Sequence, residues 1–201
     1  MTSIRAALVL CAALFLASCL PVTTSTPVGS TAGFKADSEL YGAWLGRDAD
    51  PAKDKDSGAV YFHFLASKDG SMTLILVTSA KSGDDAGEWS VFRLQPATLG
   101  QNHFLNVQEV SNNGEAPEDA LLKTFPVLYR MGKDGKLTLY LVDEDLAKAA
   151  IKAGKINGEI EPGDTGDVHI TADAATLDAF FVSARGTALF TKPLVVLKRV
   201  P

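Results

Sequence analysis

The side chains best able to hold a metal in this 201-residue chain are three histidines and a run of aspartates. Zinc takes three or four His, Cys or carboxylate ligands, commonly with two of them closely spaced on one element. His63, His103 and His169 fall on three separate predicted strands and offer no such pair. His63 stands between Tyr61 and Leu65 on its face and is expected as a hydrogen-bonded core histidine. His169 shares a face with Asp167 and Thr171 and is expected at the surface. Asp48, Asp50, Asp54 and Asp56 lie in DADPAKDKD. A calcium loop needs Gly at its sixth position and Glu at its twelfth. Lys53 and Ala59 stand there, and Lys53 with Lys55 makes the run a solvated loop. Neither a metal nor an organic cofactor is expected. The chain has no G-x-S-x-G elbow, phosphate loop, H-E-x-x-H, C-x-x-C or dinucleotide fingerprint. A catalytic group assembled from scattered residues would leave no such trace, so a dispersed hydrolase site stays open as an alternative.

Asp164-Thr165-Gly166 resembles the active-site loop of aspartic proteases. In that family the triplet follows an apolar strand and two copies bring two carboxylates together. Here a single copy follows Glu161-Pro162-Gly163, and a Gly-rich turn is expected. Leu16-Ala17-Ser18-Cys19 resembles the lipobox of bacterial lipoproteins. The resemblance implies cleavage between Ser18 and Cys19, lipid on the Cys19 thiol and acylation of the new amino terminus. The preceding segment agrees: Arg5 is the basic lead and Ala6 to Leu16 (AALVLCAALFL) is an apolar run of secretory length. A spanning helix needs about 20 apolar residues, whereas this run meets Pro21 and a Thr/Ser tract. Leu20, rather than Asp, follows the cysteine; by the same resemblance this implies sorting to the periplasmic face of the outer membrane.

Without residues 1–18, which hold one Arg and no acid, 183 residues remain with a net charge of −6, against −5 for the whole chain. That acidity argues against a nucleic-acid partner and against docking to anionic lipid by charge, so the acyl chains are expected to make the membrane contact. Cys11 would leave with the signal and Cys19 would be consumed by lipid. The folded part would then hold no thiol and depend on an apolar core, which 46% hydrophobic residues permit.

Residues 1–18 are thus expected as a signal peptide, 19–35 as a flexible Thr/Ser/Pro tether with a reach of about 20 Å, and 36–201 as one β-rich domain. Two hairpins are marked by Lys68-Asp69-Gly70-Ser71 and Lys133-Asp134-Gly135-Lys136. Read as two-residue turns, they set Leu65 opposite Leu74 and His63 opposite Leu76, and they group Leu128 with Leu139 and Leu141. Both faces of each hairpin are then apolar, so something must cover the sheet from outside. Two amphipathic helices are expected to do so, one after Asp143 with a stripe of Leu146, Ala149, Ala150 and Ala153, the other over Asp173 to Ala184 with Leu177, Phe180, Phe181 and Ala184. Further strands are expected at Trp89 to Leu94, Phe104 to Val110, Val168 to Thr171 and Leu194 to Val200. The fold class is α+β but mainly β: seven to nine antiparallel strands as a sheet or partly closed barrel, with two short helices in the C-terminal third.

Gly42-Ala43-Trp44 resembles the opening motif of lipocalins, where a Trp plugs the barrel floor and a late Arg covers it; Arg199 is placed to be that Arg. The expected function is a lipid-anchored envelope protein that binds a small apolar ligand or a partner protein without catalysis. Trp44, Tyr61 and Tyr129 are candidate pocket residues. A third expectation is an assembly accessory offering a free strand edge near Trp89 to Leu94.

Overall fold

The computed structural model describes residues 21–30, 37–48, 59–79, 87–117, 123–162 and 166–201. Eight of its strands close an antiparallel barrel in the order β11-β2-β3-β4-β5-β6-β7-β8. They are β2 (Gly42–Asp48), β3 (Val60–Ala66), β4 (Met72–Thr78), β5 (Trp89–Leu99), β6 (Asn102–Asn112), β7 (Phe125–Met131), β8 (Leu137–Leu141) and β11 (Pro193–Arg199). Seven follow one another up and down; β11 arrives last, pairs with both β2 and β8, and shuts the wall. Between β8 and β11 the chain makes a cover from α1 (Glu144–Lys152), β9 (Gly158–Ile160), β10 (Val168–Ile170), α2 (Ala174–Val182) and a short turn of helix, α3 (Ala184–Thr187). β10 pairs antiparallel with β9 and parallel with β1 (Thr23–Thr24) in a separate three-stranded sheet.

The two hairpins form where expected but in another register. Gly70 donates its N–H to Ser67 O and Ser67 donates to Ser71 O, closing a three-residue loop over 68–70. Gly70 supplies the left-handed corner at φ 82° and Gly135 supplies the same at 73°. A three-residue loop with Gly in that corner is the next commonest hairpin after the two-residue turn. The Asp side chains stabilise it: Asp69 accepts from the Ser71 N–H and hydroxyl, and Asp134 accepts from the Lys136 N–H. The extra loop residue slips the pairing by one, so Leu65 faces Thr73, His63 faces Ile75 and Tyr129 faces Leu139. Phe62, Phe64, Leu74 and Leu76 therefore point inward together with Val127, Tyr129 and Leu139. His63 lies half-buried on the outer wall rather than in the core.

Apolar residues on both faces follow from this architecture. The inner cluster fills the barrel; the outer cluster sets Phe104 and Leu128 of the wall against Leu177, Phe181, Leu189 and Phe190 of the cover. Phe104 stacks on Phe181 at 6.3 Å and meets Phe190 edge-on at 5.5 Å. In α2 the expected Leu177, Phe180 and Phe181 are buried, but the helix ends at Val182 because the Ser183 hydroxyl caps α3 by accepting from the Gly186 N–H. In α1 the buried face is Ala147 with the partly buried Ala150 and Ile151, while Leu146 is exposed.

Asp143 begins α1 as expected: its carboxylate accepts from the Leu146 N–H at 3.1 Å and receives Lys192 Nζ at 2.9 Å. The Lys192 bond, then the cap, holds this carboxyl below the usual range. Its stabilisation is therefore present above the ordinary aspartate pKa and lost as pH falls through the lowered value. Asp143→Ala is expected to cost about 1 kcal/mol at pH 7, and less as the pH is lowered, read from urea midpoints.

The expected tether is not a free coil from Pro21 on. Val22 and Val28 are buried, Thr24 donates its N–H to Thr124 O, and β1 lies along β10. Asn106, buried on the outer wall, accepts from Val28 N at 2.7 Å and donates to Val28 O at 3.0 Å. The segment has little of its own to bury, but neighbouring backbone and side chains satisfy its polar groups. The packed domain thus includes residues 21–30.

Candidate functional site

The barrel has two unlike ends. At one end the three-residue 3-10 turn Ser38–Leu40 precedes β2 and forms a floor. Trp44 stands on it, 1% exposed, donating Nε1–H to Leu40 O at 2.8 Å. The Arg199 guanidinium covers the indole at 4.5 Å and donates to Tyr41 O at 2.7 Å and to Glu39 O. Leu40, Met72, Leu94, Leu137 and Leu197 pack this level with no exposure at all.

Toward the other end the interior loosens. Val60, Leu74, Leu76, Phe92 and Phe125 retain a little accessible surface, and Leu141 and Val195 are only partly buried. The connections at this mouth run through 49–58, 80–86 and 118–122, outside the described residues. In the upper interior, Glu109 alternates with Leu105 and Val107 on the inward face of β6. It is 5% exposed, and its Oε1 has no hydrogen-bond partner among the described residues. Burial pushes its carboxyl above the usual range. Glu109 pairs across the strands with Phe92, and Ser90 is buried on the same inward face of β5. Strand parity sets Glu109 on the face of Leu105 and Val107, the more apolar of the two faces of this run, against Phe104, Asn106 and Gln108 on the other.

Trp44 and Tyr129 both lie in the packed barrel interior. Tyr129 is buried near the floor, beside the His103 ring at 5.6 Å. Burial first, then the Asp37 charge, pushes its phenol up to about 12. Tyr61 does not join them: it lies on the outer wall between Leu45 and Val77, because the one-residue slip reverses its face. Ser18 and Cys19 lie outside the described residues, as do Asp164, Thr165 and the acidic run beyond Asp48.

The histidines stay apart, and among the described residues no group of three or more potential ligands forms a metal site. His169 is half-buried rather than exposed, with Nδ1 2.8 Å from Thr23 Oγ1 and Nε2 2.9 Å from Ser25 Oγ. Burial and then the Lys123 charge lower its pKa. A serine beside a neutral imidazole is the pairing a hydrolase uses. Here Thr23, not a carboxylate, occupies the position that would orient the ring, and the arrangement ties β1 to β10. No free edge exists near Trp89 to Leu94, since β5 is paired with β4 and β6. A hollow on the cover, lined by Lys155, Ala175, Ala179, Phe180 and Arg185, is open to solvent.

Compared with known families, curated proteins and solved structures, the chain matches none. Fold and site define a class nonetheless: a closed eight-stranded antiparallel barrel with a plugged floor, a covered wall and a buried carboxylate toward its mouth. That architecture is compatible with lipocalin-like barrels, and Gly42, Trp44 and Arg199 stand as that resemblance implies.

Proposed function

We propose that this protein is a lipocalin-like, lipid-anchored protein of the bacterial envelope, and that its barrel binds a small apolar molecule without transforming it. The observation that carries the reading is Glu109 Oε1, buried and unpartnered above a plugged floor. An eight-stranded barrel is just wide enough either to fill with side chains or to hold one small ligand. Packed side chains fill the barrel from Trp44 up to Val60, Leu76, Phe92 and Phe125, so a ligand would lodge against these residues toward the mouth. A carboxylate oxygen left unpaired there costs about 1–3 kcal/mol or more, a cost that a ligand's hydrogen-bond donor would offset. The ligand is accordingly an amphiphile, with an apolar body among Val60, Leu76, Phe92 and Phe125 and a hydroxyl or amine toward Glu109.

Native mass spectrometry of the full chain, extracted gently from its own membranes, tests the proposal. A bound species of small mass is expected on the unaltered chain and is expected to be lost, or weakened at least tenfold, in Glu109→Leu. A chain that carries nothing at any load overturns the reading. Labelling of Ser25 by a fluorophosphonate would favour the hydrolase alternative.

A further inference from the structure

The chain preceding the barrel is too short to let the anchor reach either end. Pro21 is the first described residue, and two residues of chain, about 7 Å at full extension, connect Cys19 to it. Thr24 bridges Thr124, one residue before β7 begins at the mouth. From there the segment descends the outer wall: Val28 is held by Asn106, and Ser30 bridges Thr98 near the floor end of β5. Cys19 is at most five residues, or about 17 Å of fully extended chain, from Thr24. From Thr124 down β7 to the floor hairpin tip at Asp134 the chain runs ten residues, about 33 Å along the tilted strand and about 25 Å along the barrel axis.

We infer that the acyl chains of Cys19 hold the barrel with its mouth toward the bilayer and its Trp44–Arg199 floor toward solvent. This rests on the lipid attachment proposed above and concerns the direction in which the barrel faces, which the attachment alone leaves open. The surface supplies a second observation. The outer wall toward the mouth carries a cross-strand row of Leu45, Tyr61, Val77 and Trp89, with Trp89 40% exposed and Val110 nearby 51% exposed. Amphipathic aromatic rings suit a membrane interface. The floor end carries charged hairpin tips instead, with Lys68, Asp69, Lys133 and Asp134. Charge does not draw the mouth to lipid, because segments 49–58, 80–86 and 118–122 hold seven acidic residues against three lysines. The covalent anchor must set the orientation. A molecule leaving the facing leaflet would then enter the barrel from the membrane side.

Acylation consumes the Cys19 thiol, so one introduced cysteine becomes the sole thiol of the processed chain. Glu115→Cys at the mouth end and, separately, Lys68→Cys and Lys133→Cys at the floor end place a fluorophore on exposed positions. Each full-length, acylated chain is reconstituted in phosphatidylethanolamine–phosphatidylglycerol vesicles containing a headgroup nitroxide lipid. Quenching is expected to be at least threefold stronger at 115 than at 68 or 133. Equal quenching, or stronger quenching at the floor positions, on a chain whose mass confirms three acyl chains overturns the orientation and leaves the anchor intact. A mass without acyl chains overturns the anchor and the orientation together.

Discussion

Trp44→Ala is expected to bring the barrel close to unfolding at room temperature. The indole is 1% exposed among Leu40, Phe62 and Phe64. Truncating a buried Trp typically costs about 3–5 kcal/mol, the lost transfer energy plus the cavity left behind. Two further losses belong to this site: Leu40 O loses the Nε1–H donor, and Arg199 loses the ring it covers. Domains of this kind are stable by about 5–15 kcal/mol in total, so the change removes a large share. Trp44→Phe separates the contributions, since it keeps most of the packing and a ring beneath Arg199 while deleting the indole donor. Urea unfolding followed by far-ultraviolet circular dichroism should place the midpoints in the order wild type, Trp44→Phe, Trp44→Ala. An Ala variant within about 1 kcal/mol of wild type would mean that the floor does not close the barrel as described.

The features legible in the sequence are those set by local chemistry. Asp143 and Asp173 cap helices because a carboxylate before an apolar helical stripe has orphan N–H groups within reach, and both do so here. Gly42, Trp44 and Arg199 are readable as a set because the resemblance supplies the partner, 155 residues away, that spacing cannot. Apolar character on both faces correctly demanded a cover over the second hairpin, where Leu128 joins the outer cluster, whereas on the first hairpin Leu65 stays 46% exposed. What stayed hidden depends on counting to one. Asp-Gly is compatible with two-residue and three-residue loops, and choosing between them reverses every side chain behind the turn. That is why Tyr61 reads as a pocket residue and lies outside, and why His63 reads as core. The leading segment was unreadable for a different reason. Composition measures what Pro21 to Ser30 can bury by itself, whereas its place depends on Asn106, Thr124 and His169, distant in sequence. Closure is equally non-local, since β11 meets β2 and β8 only after the whole cover has intervened.

Glu109→Leu in the ligand-free protein is expected to stabilise the barrel while abolishing its use. The Glu109 carboxylate is destabilising in the upper interior because its buried Oε1 has no hydrogen-bond partner among the described residues, which costs about 1–3 kcal/mol for a neutral group and more for an ionised one. Leucine has nearly the same bulk and nothing to desolvate. Titration gives the effect a sign that packing alone would not. Burial raises the Glu109 pKa in the folded chain above the ordinary glutamate value. Between the unfolded and folded values the native state therefore binds the extra proton. The stability associated with this group is fully present below the unfolded value and is lost as pH rises through the folded one. Stability of the wild type relative to Glu109→Leu should accordingly decline from pH 4 to pH 8, with the two curves converging on the acid side. The proposed ligand is expected to reverse the comparison at neutral pH, because a donor beside the carboxylate would stabilise the ionised wild type and offer nothing to leucine. Thermal midpoints of both chains across that range, stripped and ligand-loaded, measure the two effects separately. A parallel pair of pH curves in the stripped proteins would show that Glu109 is solvated, and the upper interior would then lack the unpaired oxygen that recommends it as a binding site.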